Sequence, residues 1–410
     1  MVKGPSCRLC GAQLARTFVD LGSSPPCESY VPADRLDSPE VFYPLHVRLC
    51  EECLLVQLPP YVDAQDIFSD YAYFSSFSDS WVAHAGRFVD DMVDRLGLGP
   101  ESLVVEVASN DGYLLQHLVA RGVPVVGVEP AANIAEVARE RGVRTEVAFL
   151  GGGVGRRIAA SYGKADLVVG NNVFAPTPEL LDFARGLREL VADDGTVSLE
   201  FPHLLRLIEE RQYDTIYHEH YSYFTLATAA KALATAGLSV VDVVELPTHG
   251  GSLRVFSRPQ ERAGEPSAAV AKVLADEHAA GLDTVEGHAG FAAAVLDVKR
   301  DLLALLIDAS RRGLSVAGYG APGKGNTLLN HCGIRADLIE YTVDRSPYKQ
   351  GMFLPGTHIP IHPPERLRET RPDLVVILPW NLREEIVEQL GYVREWGGRF
   401  VLPIPVPTIL

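Results

Sequence analysis

Long apolar runs are missing from this 410-residue chain, whose apolar segments, such as Leu103–Val105 and Leu374–Leu378, are strand-sized. They fall far short of the ~18 residues of a membrane span. No apolar signal-peptide core follows the opening Met1-Val2-Lys3-Gly4-Pro5. Positive charge is scarce as well: 37 Lys and Arg face 53 Asp and Glu, a net charge of −16. No basic patch emerges, which argues against a nucleic-acid partner. Apolar residues at 47% and charged residues at 22% are globular values and exclude a disordered or fibrous chain. The length leaves room for two or three domains. The expectation is an acidic, soluble, cytoplasmic protein with neither membrane nor nucleic acid as partner.

Cysteine is sparse but patterned. Four of the six form Cys7-x-x-Cys10 and Cys50-x-x-Cys53, while Cys27 and Cys332 stand alone. Thiolates three positions apart in a tight turn can share one tetrahedral ion, and two such knuckles complete a closed four-sulfur zinc site that holds a fold and does no chemistry. The insert between the knuckles is longer than in a compact ribbon, but it can form a small sheet of its own. Two disulfides are the rival reading, disfavoured in a reducing cytosol. A redox pair is another, although neither motif opens a helix after a strand. Cys27 and Cys332 read as small hydrophobes.

Three blocks follow from the punctuation, and the fold class is α/β. Residues 1–65 are Pro-rich and form the zinc module; residues 66–255 and 256–410 each carry an alternation of strands and helices that implies a parallel, Rossmann-like sheet. A helical pattern covers Trp81–Leu96, and a helical stretch ending near Arg312 separates the two alternations. In the first alternation the strand Leu103–Ala108 runs into the turn Ser109-Asn110-Asp111-Gly112 and a helix over Tyr113–Arg121. A second strand, Val125–Val128, ends at Glu129-Pro130. An acid at that point suits a ribose hydroxyl pair. The first turn lacks the three glycines that a pyrophosphate requires, which favours S-adenosylmethionine over a dinucleotide; another nucleotide or a plain structural turn remains open. A strand from Ala165 leads into the polar turn Asn171-Asn172, and a fifth spans Gly195–Pro202.

The densest chemistry lies in Tyr213-Asp214-Thr215-Ile216-Tyr217-His218-Glu219-His220-Tyr221-Ser222-Tyr223. Histidine titrates nearest neutral pH and suits a general base, and a neighbouring carboxylate can orient it. A strand-spaced metal pair His218-x-His220 and a solvated polar loop are the competing readings. In the last block Gly318-x-Gly320-x-x-Gly323-x-Gly325 follows a strand, Leu314–Ala317, and precedes a helix from Asn326. Glycines there admit a phosphate at a helix N-terminus. Asp344 ends the next strand, and Lys324, Arg345 and Lys349 supply positive charge in an acidic chain. An NAD-dependent dehydrogenase or a tight turn without ligand also fits that pattern.

Taken in order, these segments resemble the S-adenosylmethionine-dependent C-methyltransferases that act on nucleotide-linked 4-keto-deoxysugars. The resemblance spans nearly the whole chain. It rests on the CxxC pair, Tyr71-Ala72-Tyr73-Phe74-Ser75-Ser76, Val105–Gly112, Tyr217–Ser222, His249-Gly250-Gly251-Ser252-Leu253-Arg254, Gly318–Thr327, Val343–Gly351 and Leu378-Pro379-Trp380-Asn381. It implies structural zinc on Cys7, Cys10, Cys50 and Cys53, and S-adenosylmethionine in the central domain. The cofactor would lie on Tyr73, Ser75, Glu106, Ser109, Asn110, Asp111, Gly112, Glu129, Pro130, Asn171 and Asn172. The family's base carries over to His220, with Tyr217 and Glu219 beside it.

A dTDP-linked 4-keto sugar is the implied substrate, methylated at C-3. It would be contacted by Tyr71, Tyr221, His249, Lys324, Asn326, Asp344, Arg345 and Lys349, with the C-terminal domain helping to hold it. The implied assembly is a monomer or weak homo-oligomer. One departure stands out: relatives commonly carry a second histidine after the Asn-Asn turn, where this chain has Pro176. Proline offers no proton carrier there. Ketosugar epimerisation, C-5 methylation and sugar-nucleotide binding without catalysis are the alternatives on the same scaffold.

Overall fold

The structure is a computed structural model and describes residues 4–63 and 74–410. Three sheets organise it. The strands β1 (Arg16–Ser24), β2 (Tyr43–Leu49) and β3 (Val56–Gln57) form an antiparallel ribbon between and beside the two cysteine knuckles. In β2 the period-two rule of a strand puts Leu45, Val47 and Leu49 inside. Each knuckle closes on a left-handed residue just after its second cysteine, Gly11 (φ 79°) and Leu54 (φ 67°). At the first, glycine makes that backbone inexpensive.

The central sheet is built from β4 (Val104–Val107), β5 (Val125–Val128), β6 (Thr145–Glu146), β7 (Ala165–Asn171) and β8 (Val191–Pro202). The short β9 (Ser222–Tyr223) departs to pair with β3, and β10 (Leu238–Leu246) and β11 (Ser252–Pro259) return to the central sheet. The order is β10-β11-β8-β7-β4-β5-β6, parallel from β8 to β6 and antiparallel at β11 and β10. All four residues of β4 are buried, as befits a strand covered on both faces. The strand order reverses between β4 and β7, and a crevice beyond their C-terminal ends is the ligand position of such sheets. β11 carries this sheet past residue 255. The helix Asp79–Leu96 starts at Ser78, whose side chain accepts the Trp81 N–H, and stops at left-handed Gly97.

The helices Ala268–Ala279 and Phe291–Arg311 lead to the third sheet. It comprises β12 (Val316–Tyr319), β13 (Tyr341–Val343), β14 (Ile361–His362), β15 (Leu374–Ile377), β16 (Arg399–Leu402) and β17 (Thr408–Ile409). Its order is β14-β13-β12-β15-β16-β17, and only β17 runs antiparallel. β12 begins and ends two residues later than Leu314–Ala317. Gly318 lies within the strand, where a Cβ would meet Thr342 Oγ1 at 2.7 Å; the glycine serves close strand packing. The following helix is Gly323–Cys332, three residues ahead of Asn326.

The zinc module is wedged between the other two domains. Phe18, Val47 and Leu49 share one core with Leu328 and Val376 of the last domain. Cys7, Cys50 and Leu55 share another with Phe174 and Phe201 of the central one.

Candidate active site

The metal centre is the simplest part. The sulfurs of Cys7, Cys10, Cys50 and Cys53 all lie within 4.8 Å of one another. A tetrahedron with Zn–S bonds of about 2.3 Å needs S···S edges of about 3.8 Å, and the Cys7–Cys53 and Cys10–Cys50 contacts are both 3.5 Å. None of the six cysteines is in a disulfide. The Leu9 N–H and Gln57 Nε2 donate to Cys7 Sγ at 3.4 and 3.1 Å, as partners of a ligating thiolate do. Hydrogen bonding with Cys53 lowers the pKa of the Cys7 thiol. The donor set fits a closed structural zinc site.

A cavity of about 1150 Å³ opens beyond the strand ends of the central sheet and is walled by all three domains. On the β4–β5 side Glu129 is buried, its Oε2 accepting the Asn110 N–H at 2.9 Å and its Oε1 the Ala131 N–H at 3.0 Å. Two backbone donors thus fix the carboxylate plane, and each oxygen keeps a further lone pair for a ligand. Burial raises Glu129 above the usual carboxylate range. Asn110, left-handed at φ 47°, accepts the Ser75 N–H on its Oδ1 at 2.8 Å. Ser75, Asn110, Glu129, Pro130, Asn171 and Asn172 all line the cavity. Asn171 Oδ1 is buried and has no partner among the described residues, an acceptor ready for a ligand donor. These groups fit the adenosine and amino-acid ends of S-adenosylmethionine.

Glu106, Ser109, Asp111 and Gly112 are not part of the cavity lining. Burial and the charges of Glu129 and Asp111 push the Glu106 carboxyl well above its ordinary value. Asp111 pairs with Arg141 at 3.0 Å. Gly112, at φ 78°, has no room for a Cβ beside Val143. This group shapes the turn that presents Asn110. Tyr71 and Tyr73 lie outside the described residues.

The same cavity is lined by Tyr217, Glu219 and His220. His220 Nδ1 is 3.1 Å from the Thr215 carbonyl oxygen and Nε2 is 3.1 Å from the Tyr217 hydroxyl. A carbonyl only accepts, so the Nδ1 carries the hydrogen and Nε2 is the basic nitrogen. Burial pushes His220 down to about 4, so the ring is neutral at physiological pH. Glu219 does not contact the imidazole. It turns to Cys27, whose Sγ donates to Oε1 at 3.5 Å. Burial and the nearby Glu28 push Glu219 up to about 8. His218 faces away, its Nε2 donating to the Pro44 carbonyl at 3.3 Å, so the two imidazoles of the motif do not converge.

His249 and Lys324 complete the wall. His249 is left-handed at φ 54°, its Nε2 accepting from Asn172 Nδ2 at 3.2 Å. Burial brings it down to about 4. Lys324 donates to Asn381 Oδ1 at 2.6 Å and lies over the Trp380 ring. Pro176 also lines the cavity.

The remaining substrate-side residues sit outside the lining. Tyr221 is fully buried and donates to the Val62 carbonyl at 3.0 Å. Asn326 donates to the Cys27 carbonyl at 2.6 Å. Asp344 accepts the Ala321 and Ser346 N–H groups at 2.7 and 2.8 Å, closing the glycine loop. Lys349 donates to the Ala321 carbonyl at 2.9 Å, and Arg345 is exposed.

Sequence reasoning missed Trp81, His84, Glu200 and Arg254. Glu200 receives Arg254 at 2.6 Å, His84 at 3.1 Å and the Thr248 hydroxyl at 2.9 Å. Burial alone would raise its pKa, but His84 and Arg254 hold it at about 2. The Trp81 ring stacks on His84 and meets His249 edge-on. The Glu200 and Arg254 positions lie inside strands and looked like ordinary strand residues.

A C-terminal ligand crevice on a parallel sheet, an acid fixed at the second strand end and a neutral imidazole lining the same cavity fit an S-adenosylmethionine-dependent methyltransferase with a structural zinc module. The comparisons say the same. Family models match as "Putative zinc binding domain" over residues 7–68, "Methyltransferase domain" over 81–243 and "C-methyltransferase C-terminal domain" over 247–405. The C-methyltransferase NovU of Streptomyces niveus is 38% identical over 404 residues, 98% of this chain and 96% of that protein. The chain belongs to this C-methyltransferase family. Among solved structures, magnesium protoporphyrin IX methyltransferase from Synechocystis PCC 6803 matches 44% of this chain and 81% of its own, at 19% identity and TM-score 0.33. A methyltransferase from Anabaena variabilis matches 44% of this chain and 86% of its own, at 15% identity and TM-score 0.36.

Proposed function

We propose that the protein methylates the C-3 carbon of a dTDP-linked 4-keto-deoxysugar, in deoxysugar and antibiotic biosynthesis, with His220 as the base. The observation that carries this reading is the tautomer lock: Thr215 holds the Nδ1 hydrogen, so a neutral Nε2 faces the cavity that Glu129 also faces. A carbon next to a ketone is acidic because its carbanion delocalises onto the carbonyl oxygen. Turning the Tyr217 O–H away from Nε2 toward that oxygen frees the lone pair and aims a donor at the developing charge. His220 then takes the carbon-bound proton on Nε2. The imidazolium, costly in a buried site, forms beside the opposite charge of the enolate.

Glu219, protonated at neutral pH, offers a second acidic O–H to the same oxyanion, as neutral carboxyls in apolar sites can. His249 and Lys324 hold the sugar and its diphosphate, with Lys324 as the point charge at the glycine loop. Glu129 binds the cofactor ribose, and Asn110, Asn171 and Ser75 orient the rest. When bound, S-adenosylmethionine supplies the electrophilic methyl group that the carbanion takes up.

Pro176 in the wall contributes no proton carrier, so among the described residues His220 is the base assigned to the reacting carbon, with Tyr217 and Glu219 as its acids. That favours a single-base enolisation, which without methyl transfer would read out as exchange of that proton with solvent; epimerisation would need a second proton source on the opposite face. Incubation with S-adenosylmethionine and a panel of 4-keto-6-deoxysugar nucleotides in deuterated water, read by mass and by the position of the new methyl, tests the reading. Methyl gain at C-3 is expected. Methyl gain at C-5 or deuterium gain alone would replace it with a different reaction, and the absence of both methyl and deuterium gain would leave sugar-nucleotide binding without catalysis.

A further inference from the structure

The segment that carries His220 is tied to the four-cysteine cluster by an unbroken set of contacts. Gln57 in β3 donates to Cys7 Sγ through Nε2 at 3.1 Å, and its Oε1 accepts the Arg8 N–H at 3.0 Å. The Arg8 guanidinium donates to the Leu58 carbonyl and lies over the Tyr221 ring, 5.3 Å from its centre. The Leu58 N–H donates to the Tyr221 carbonyl at 3.0 Å. β3 itself pairs with β9, Gln57 opposite Ser222 and Val56 opposite Tyr223. From there the Tyr223 hydroxyl donates back to the His220 carbonyl at 3.0 Å. Both Arg8 and Gln57 belong to the metal module, yet their partners include the residues immediately after the base.

We propose that Arg8 and Gln57 are positioning residues, through which the metal module sets the backbone of residues 220–223 and so aims the His220 imidazole. The zinc module then has a task beyond holding its own fold. Four thiolates around a dication leave a net negative charge, and Arg8, adjacent to Cys7, supplies the countercharge where Gln57 supplies an N–H. A guanidinium is planar and forked, so it can serve the Leu58 carbonyl while its face covers an aromatic ring. Without that fork, Tyr221 and Ser222 keep their N–H bonds to the Ala175 carbonyl, at 3.0 and 3.1 Å, while the Leu58 carbonyl and the Tyr221 ring lose the guanidinium that ties them to the metal module. The catalytic consequence rests on the reading of His220 as the base; the structural tie does not.

The test uses the full-length zinc-loaded protein carrying Arg8→Met, which keeps an unbranched apolar stem and removes the charged fork. Zinc content is measured by elemental analysis, S-adenosylmethionine affinity by calorimetry, and amide hydrogen exchange over residues 216–224 by mass spectrometry. Zinc near one per chain and an unchanged affinity are expected, with exchange in that segment faster by about tenfold. Turnover of a 4-keto-6-deoxysugar nucleotide should fall about ten- to a hundredfold in kcat with KM little changed, the signature of a misplaced catalytic group. Wild-type exchange and kcat in a zinc-replete Arg8→Met protein would overturn the proposal.

Should Arg8→Met lose zinc or fail to fold, Tyr223→Phe decides. It lies outside the metal module and removes only the hydroxyl on the His220 carbonyl. Faster exchange over residues 216–224 with a fall in kcat at constant S-adenosylmethionine affinity supports the tie, and wild-type exchange with an unchanged kcat overturns it. Because exchange is read without substrate, a failed base assignment and a failed tie give different results.

Discussion

The Nδ1 of His220 lies 3.1 Å from the carbonyl oxygen of Thr215, five residues earlier in the same loop. That single bond decides which nitrogen carries the hydrogen and leaves Nε2 toward Tyr217 and the cavity. A backbone carbonyl does here what a carboxylate does in many histidine sites. It orients the ring without adding a negative charge that would make the imidazole a permanent cation.

The first prediction follows for the pH dependence of turnover. His220 is pushed down to about 4 and Glu219 up to about 8. The base is therefore active well below the usual histidine range, and activity is lost on the alkaline side as Glu219 ionises beside the oxyanion. kcat/KM should be flat between about pH 5 and 7 and fall above about pH 8. In Glu219→Gln the alkaline limb should disappear while the overall rate drops. An acid limb centred near pH 6.5 would contradict the burial argument.

A second prediction concerns stability. In the unfolded chain Glu219 titrates near 4.3, in the folded one at about 8. Between these values the folded protein holds a proton that the unfolded chain has released, so stability falls as pH rises through that window. Glu219→Gln removes the effect, and its loss of stability between pH 5.5 and 8 should be smaller by about 1–3 kcal/mol. His220 and His249 act with the opposite sign. Their folded values of about 4 lie below the unfolded 6.5, so stability falls as pH drops from 6.5 toward 4. Urea midpoints across pH 4.5–8.5 check both, and identical profiles for wild type and variant would refute the Glu219 part.

Much of this architecture is written in the sequence, and the exceptions share a cause. The knuckles are legible because ligand spacing is local, and Glu129 because a strand end fixes where its side chain must go. The Tyr217–His220 motif is legible as chemistry, but its wiring is not. That Thr215 and not Glu219 holds the imidazole depends on how an eleven-residue loop closes. Glu200, Arg254 and His84 meet only because β8, β11 and the helix Asp79–Leu96 pack together, and their separation in sequence hides this. Asp344 matches the spacing of a ribose-binding acid, yet both of its oxygens are engaged by backbone N–H groups at 2.7 and 2.8 Å. Spacing locates a carboxylate but does not say what it accepts from.

A third prediction addresses zinc. Purified protein should contain about one zinc per chain, and Cys10→Ser should lower thermal stability. Because the module packs against both other domains through Phe18 and Leu55, unfolding should remain cooperative and move to lower temperature as a whole. A metal-free protein of normal stability would contradict the four-thiolate site.

The fourth tests the cofactor end. Glu129→Ala removes an acceptor for the ribose hydroxyls, each charge-assisted bond contributing about 1.5–3 kcal/mol. S-adenosylmethionine affinity measured by calorimetry should fall at least about tenfold. An unchanged Kd would place the ribose elsewhere.

The central claim is that His220 removes the proton next to the ketone, and one measurement addresses it directly: washout of that proton into deuterated water by His220→Asn, followed alongside methyl transfer. General-base contributions are about 10²–10⁴-fold, so both rates should fall together by that order while substrate and S-adenosylmethionine affinities stay near wild type. Washout at the wild-type rate in His220→Asn would show that another group takes the proton, and Tyr217 would be the first to examine.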